Sequence, residues 1–216
     1  MSTRRVTITS DGSLEAILRE HGRTGGAVIC HPHPLYGGNM YNSVVEAIEE
    51  GFVLSGLSTL RFNFRGVGDS EGAYDEGNGG IRDTIAACTF MSNLLDSGGR
   101  LVLAGYSFGA WVASRAAGHI QGLKDLFLVA YPFSRYEPAE LRAFEGRLYF
   151  VGGSLDDVSP LDQLLSLYQE VQTEKWLKVV PSSHFFPGLE PEIRDFVRQM
   201  FGPTSDATSQ ATKKDW

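Results

Sequence analysis

Cysteine is scarce in this chain. Only Cys30 and Cys88 occur among its 216 residues, both inside apolar runs. They read as small buried hydrophobes, and a disulfide framework is excluded. Long apolar runs are missing as well. No stretch approaches the roughly 20 residues of a membrane span. The opening MSTRRVTITSDGS carries Arg4 and Arg5 but no apolar segment of the signal-peptide type. The expectation is a cytoplasmic protein without a membrane partner. Positive charge is in deficit: 19 Lys and Arg stand against 26 Asp and Glu, a net charge of −7. A nucleic-acid partner is therefore not expected, because phosphate binding needs a basic stripe.

What is present suits one α/β domain. Hydrophobic residues make up 42% and charged residues 21%, enough for a sizeable core. RRVTITSDGSLEAILRE predicts two short strands around an Asp11-Gly12 turn. GGAVICH (25–31) reads as a buried strand and PHPLYGGN as a loop. Val44, Val45, Ile48 and Phe52 recur at helical spacing, predicting a helix over 40–55. A strand (57–64), a long glycine-rich loop (65–80) and a helix (81–96) follow. After them come a strand (100–106), a helix (108–119) and strands at 123–131 and 146–153. SPLDQLLSLYQEV predicts a helix over 159–171, with Ser159 as N-cap and Pro160 at its first position. A strand (174–181) and a helix (190–201) close the pattern. Alternating strands and helices imply a mainly parallel sheet with helices on both faces. Residues 1–201 form the domain, and the polar segment 202–216 reads as a disordered tail.

One motif sits inside this pattern. LVLAGYSFGAW places Ser107 between Gly105 and Gly109, after an apolar strand and before a helical run. G-x-S-x-G in that setting presents a serine on a sharp strand-to-helix turn, where small neighbours allow the elements to approach. The N–H of Phe108, at the helix start, faces any negative charge developing nearby. A serine hydroxyl needs a base, and the base needs an orienting carboxylate. Asp156 and Asp157 in GGSLDDVSP and His184 in VPSSHFFPG lie just beyond two later strands. That is the chain order Ser, Asp, His, at the sheet edge where open α/β sheets bind ligands.

His31 and His33 form H-x-H, a spacing that can supply two metal ligands, but no third ligand lies nearby and no metal is expected. The stiff HPHP segment reads instead as the loop supplying a second oxyanion donor. Prolines have no N–H, so the candidates are His33 and Leu35, with Leu35 favoured. Gly66, Gly68 and Gly72 miss the dinucleotide spacing by one place, so the 65–80 segment reads as a turn-rich loop held by Arg65 and Asp69.

GYSFG, GGSLDDVSP and SSHFF, joined by CHPHPLYGGNMYNSVV and LRFNFRGVGDSEGAYDEG, resemble the α/β-hydrolase superfamily. Within it the chain resembles small bacterial hydrolases with an HPHPxxGG motif, related to dienelactone hydrolases, over about residues 4–201. The resemblance implies an eight-stranded, mostly parallel sheet with one antiparallel strand near the start. It favours Asp156 over Asp157 as the acid. Dienelactone hydrolases carry a cysteine where this chain has Ser107, so the resemblance does not extend to dienelactone as substrate. It also leads one to expect an acidic residue where Gly79 and Gly80 stand.

Only residues 132–145 separate two strands where relatives insert a helical cap, so an open, capless site is expected. Tyr36, Phe133 and Phe185, with Tyr136 and Phe186, are candidates for its wall. These readings point to a serine hydrolase of small or short-chain carboxylic esters, a monomer or homodimer that needs no cofactor. A thioesterase, an acyltransferase or a non-catalytic binding protein of the same fold are the alternatives.

Overall fold

The computed structural model describes residues 2–203; the tail expected beyond that point lies outside the described residues. Eight strands form one sheet: β1 (Ser2–Thr9), β2 (Ser13–Glu20), β3 (Gly25–Cys30), β4 (Ser58–Phe62), β5 (Arg100–Tyr106), β6 (Asp125–Val129), β7 (Arg147–Gly153) and β8 (Lys175–Val180). Their order is β1-β2-β4-β3-β5-β6-β7-β8. Strand β2 runs antiparallel to both β1 and β4, and every other pairing is parallel. This is the α/β-hydrolase arrangement, with helices on both faces and, among the described residues, no cap domain.

Burial follows from that order. Strands β3 to β6 are buried almost throughout; β3 and β5 read as near-continuous apolar runs, while β4 buries Ser58, Thr59 and Arg61 and β6 begins with the buried Asp125. In β2 only alternate residues, Leu14, Ala16 and Leu18, are fully buried. Helices α1 (Ser43–Leu54) and α6 (Glu190–Phe201) cover one face. There Val44, Ile48 and Phe52 meet Ile193, Phe196 and Phe201 across the inward side chains of β3, β5 and β6. Helices α2 (Asn78–Ser92), α3 (Phe108–Ala117) and α5 (Leu161–Glu170) cover the other, around Phe64, Met91, Val112 and Leu164.

Local chemistry adjusts several expected boundaries. Asn42 caps α1 by accepting the Val44 N–H at 3.0 Å. Helix α2 begins at Asn78, earlier than expected, because the Asp75 carboxylate accepts the Gly79 N–H at 2.7 Å. Ser159 does not cap α5: the helix starts at Leu161 after Pro160, and the Ser159 N–H is drawn to the Asp156 carboxylate instead. The segment between β6 and β7 holds only the five-residue helix α4 (Ala139–Ala143), which the sequence pattern did not anticipate.

The 65–80 loop is held differently from expectation. Arg65 makes a paired contact with Asp83 at 2.7 and 3.0 Å and reaches Asp11 at 3.1 Å. Asp69 contributes its main-chain N–H, to Glu15. A Cβ at Gly79 would lie 2.1 Å from the Arg65 Nε. Glycine there makes room for the guanidinium, and its carboxylate partner stands one turn later, at Asp83.

Candidate active site

Ser107 joins β5 to α3 with φ 55 and ψ −120. A non-glycine residue there costs on the order of 1–3 kcal/mol and persists only where its surroundings enforce it. Close packing does so. A Cβ at Gly105 would lie 2.3 Å from the Gly109 carbonyl oxygen, and one at Gly109 would lie 2.4 Å from that of Cys30. Only glycine at both places lets α3 sit this tightly on β5 and β3. The Ser107 N–H donates to the Val129 carbonyl at 2.9 Å, tying the turn to the end of β6.

Three distant segments meet at this turn. The Ser107 Oγ is 2.8 Å from His184 Nε2, and His184 Nδ1 is 2.8 Å from Asp156 Oδ2. All three side chains are buried. A carboxylate only accepts, so Nδ1 carries the ring proton and Nε2 is left to accept from the serine hydroxyl. The second carboxylate oxygen of Asp156 accepts from the N–H groups of Val158 (2.9 Å) and Ser159 (2.8 Å), which fixes its plane. Asp157, the rival on sequence, is exposed and outside this chain of contacts.

The His184 loop is anchored from both sides. The residue before Ser107, Tyr106, donates its hydroxyl to the His184 carbonyl at 2.8 Å. Phe186, expected in the pocket wall, is instead fully buried against Tyr106 and the core under α6, with φ 51. Sequence reasoning missed Tyr106, whose only signal was a polar-tipped aromatic at the end of a buried strand.

The HPHP loop departs from expectation too. His31 is buried, and its Nε2 accepts the Phe64 N–H at 3.0 Å, so Nδ1 donates to the Pro32 carbonyl at 2.6 Å. Burial holds its pKa down at about 4. His33 opens a 3-10 turn, Pro34–Tyr36, and its Nδ1 accepts the Leu35 N–H at 3.2 Å. The Leu35 N–H, favoured on sequence as the second oxyanion donor, is thus already committed to a side chain. Among the described residues neither the His33 N–H nor the Phe108 N–H has a protein acceptor. The His33 ring lies 4.7 Å from that of Phe108 and 5.1 Å from that of Tyr74, whose hydroxyl is 3.1 Å from Nε2.

The loops that follow β3, β7 and β8 carry exposed large side chains. Leu35, Tyr36, Leu155 and Phe185 are 67%, 81%, 73% and 72% exposed, although each is large and apolar or aromatic. Tyr36 leans on His33 and Phe185 stands edge-on to His184. Phe133 is half-buried beside Tyr131, and Tyr136 stacks on Trp111 at 4.0 Å. The arrangement is a lidless hydroxyl–imidazole–carboxylate chain beneath an aromatic rim.

Known proteins share this architecture. The chain is 32% identical to an uncharacterized protein of Rickettsia prowazekii, over 74% of this chain and 71% of that one. An alpha-beta serine hydrolase homologue from Coxiella burnetii superposes with a TM-score of 0.85 at 33% identity, covering 94% of this chain and 99% of its own. A lidless serine hydrolase from Xanthomonas campestris does so with a TM-score of 0.84 at 26% identity, covering 94% and 97%. The family model described as "Alpha/beta hydrolase family" matches residues 27–213, from β3 onward through all three residues of the hydrogen-bonded chain. On fold, on relatives and on that match, the chain belongs to the alpha/beta hydrolase family.

Proposed function

We propose that the protein is a serine hydrolase of small or short-chain carboxylic esters. The observation that carries this reading is the unbroken run of 2.8 Å contacts from Ser107 through His184 to Asp156. Ser107 Oγ attacks the acyl carbonyl while His184 Nε2 takes its proton. Asp156 holds the imidazole in the required tautomer and stabilises its cation. The tetrahedral oxyanion is received by the Phe108 N–H and by a second N–H from the HPHP loop. As the C–O bond to the alcohol breaks, His184 returns the proton to the leaving oxygen. Water, deprotonated by His184, then attacks the acyl-enzyme and releases the acid and free Ser107. No cofactor enters this sequence.

The open rim supports small acyl groups, with Tyr36, Phe133 and Phe185 as the aromatic walls. No cap encloses a long chain, so little apolar burial is available beyond the first few carbons. A p-nitrophenyl ester series from two to sixteen carbons tests this, with Ser107→Ala as blank. Turnover is expected to be highest for the short esters and absent in the blank. A fluorophosphonate probe is expected to label wild type at Ser107. Wild type that neither labels nor hydrolyses any member of the series would overturn the reading.

A further inference from the structure

His33 has no role in the proton transfers, yet its ring is held on both nitrogens. A backbone N–H can only donate, so Nδ1, which receives the Leu35 N–H at 3.2 Å, carries no proton. A neutral ring must then carry its proton on Nε2, which donates to the Tyr74 hydroxyl at 3.1 Å. Protonating Nδ1 would set two donors against each other. Burial, reinforced by the nearby Arg135 charge, lowers the pKa of His33 and favours this neutral form. His31, two residues earlier, is held in the opposite tautomer. Its Nε2 accepts from Phe64, and its Nδ1–H donates to the Pro32 carbonyl.

These two rings hold successive parts of one turn: the His31 ring holds the 32–33 peptide through the Pro32 carbonyl, and the His33 ring holds the 34–35 peptide through the Leu35 N–H. The Pro32 carbonyl and the His33 N–H belong to the same planar trans peptide, so they point in opposite directions. Fixing the carbonyl on His31 therefore aims the His33 N–H away from the His31 ring. The His33 ring meanwhile takes the competing Leu35 N–H out of play and packs on Phe108, the residue carrying the first oxyanion donor. Tyr74, reaching in from the 65–80 loop, braces the ring from its far side.

We propose that His33 is a positioning residue for the oxyanion site: its ring, held between the Leu35 N–H and the Tyr74 hydroxyl, pins the 33–36 turn so that the His33 N–H, and not that of Leu35, is the second oxyanion donor. This rests on the serine-hydrolase reading above. It adds that the donor is set by a side chain of its own residue.

The test compares His33→Ala, His33→Asn and Tyr74→Phe with wild type on p-nitrophenyl butyrate. Asparagine keeps an acceptor for the Leu35 N–H, as at helix N-caps, while alanine does not. Losing one oxyanion donor lowers kcat by about 100-fold or more, so His33→Ala is expected to lose at least ~30-fold in kcat with KM within ~3-fold. His33→Asn is expected to recover most of that loss, and Tyr74→Phe to lose a smaller, several-fold share. His33→Ala within ~3-fold of wild type, or His33→Asn no better than His33→Ala, overturns the proposal.

Long-range proton–nitrogen NMR of the wild-type protein decides even if His33→Ala fails to fold. The Nε2–H tautomer is expected at neutral pH, and an Nδ1–H or doubly protonated ring overturns the assignment. Wild type that fails to label with fluorophosphonate removes the hydrolase reading and this inference with it. Wild type that labels, beside His33 variants that turn over unimpaired, removes the inference alone.

Discussion

The hydroxyl of Tyr106 donates to the main-chain carbonyl of His184 at 2.8 Å, so the residue before Ser107 holds the loop that carries His184. The bond is buried, and its strand and loop share no other covalent or sheet connection. Tyr106→Phe leaves that carbonyl without its partner, at a cost of about 1–3 kcal/mol. The expected result is a several-fold fall in kcat with KM unchanged, read together with a lower urea midpoint. An unchanged kcat would mean that Phe186 and the rest of the loop position His184 unaided.

Asp156 and Asp157 separate cleanly in space, and their amides should separate in activity. Asp156→Asn presents an N–H where His184 needs an acceptor, so the ring turns to the wrong tautomer, and kcat is expected to fall by roughly 10³- to 10⁴-fold. Asp157→Asn, exposed and uninvolved, should stay within about twofold. Steady-state kinetics on one ester checks both, and a reversed pattern would reject the assignment of the acid.

Gly109 and Gly118 lie near the two ends of α3 and have opposite surroundings. A Cβ at Gly109 would sit 2.4 Å from the Cys30 carbonyl oxygen, whereas one at Gly118 meets nothing within 4 Å. Gly109→Ala has to push main chain against main chain and displace Ser107. It is expected to lose most activity and about 2 kcal/mol or more of stability. Gly118→Ala should be neutral in both. Thermal melts and turnover measured in parallel give the comparison.

Acid stability carries a signature from His31. Its pKa is about 4 in the folded protein, against an ordinary 6.5, because burial disfavours the cation. As pH falls, the unfolded chain takes up this proton first. The contribution is therefore complete above pH 6.5 and is lost progressively toward pH 4. It amounts to roughly 3 kcal/mol. Urea midpoints between pH 7 and pH 4.5 should fall steeply for wild type and less steeply for His31→Asn, whatever the variant's absolute stability. Equal slopes would place the proton uptake elsewhere.

Far from the serine, Asp125 is fully buried at the start of β6 and is gripped by Arg100 (2.8 and 2.9 Å), Arg147 (2.8 Å) and the Tyr149 hydroxyl (3.1 Å). Removing it leaves two guanidinium groups crowded together without their counter-charge. Asp125→Ala is expected to lose about 1–3 kcal/mol, the two guanidinium groups left behind being partly exposed, while the folded fraction keeps its kcat, since the site lies at the opposite end of the strands. A lowered kcat per folded molecule would contradict that separation.

The parts of this fold legible in sequence are those governed by short-range pattern. Buried parallel strands announce themselves as apolar runs, and the glycines beside Ser107 announce a tight strand-to-helix turn. Asp156 and His184 were legible because they follow strand ends in the expected order. What escaped depends on partners that adjacency does not reveal. Ser159 looked like a helix cap, yet the helix begins at Leu161 after Pro160, one residue too late for the Ser159 hydroxyl to reach its first N–H groups. Leu35 looked like a free donor, but the ring two residues before it takes that N–H. Gly79 could not be explained until the Arg65 guanidinium was seen lying over it. Phe186 resembled Phe185 in every local respect, and a single residue with positive φ sends one ring into the core and the other into solvent.

Strand β8 lies at the edge of the sheet, and the loop leaving it holds His184. Ser107 follows the end of β5, three strands inward, and lies 77 residues before His184 in the chain. His184 reaches Ser107 only once the edge strand β8, which pairs with β7 alone, has docked. A chain with every strand paired except β8 would hold the turn around Ser107 without His184 beside it. Fluorophosphonate labelling during refolding would report the docking of the final strand, and it should lag behind the recovery of helical structure. On the serine-hydrolase reading, chemical reactivity in this molecule would serve as a clock for the completion of its own sheet.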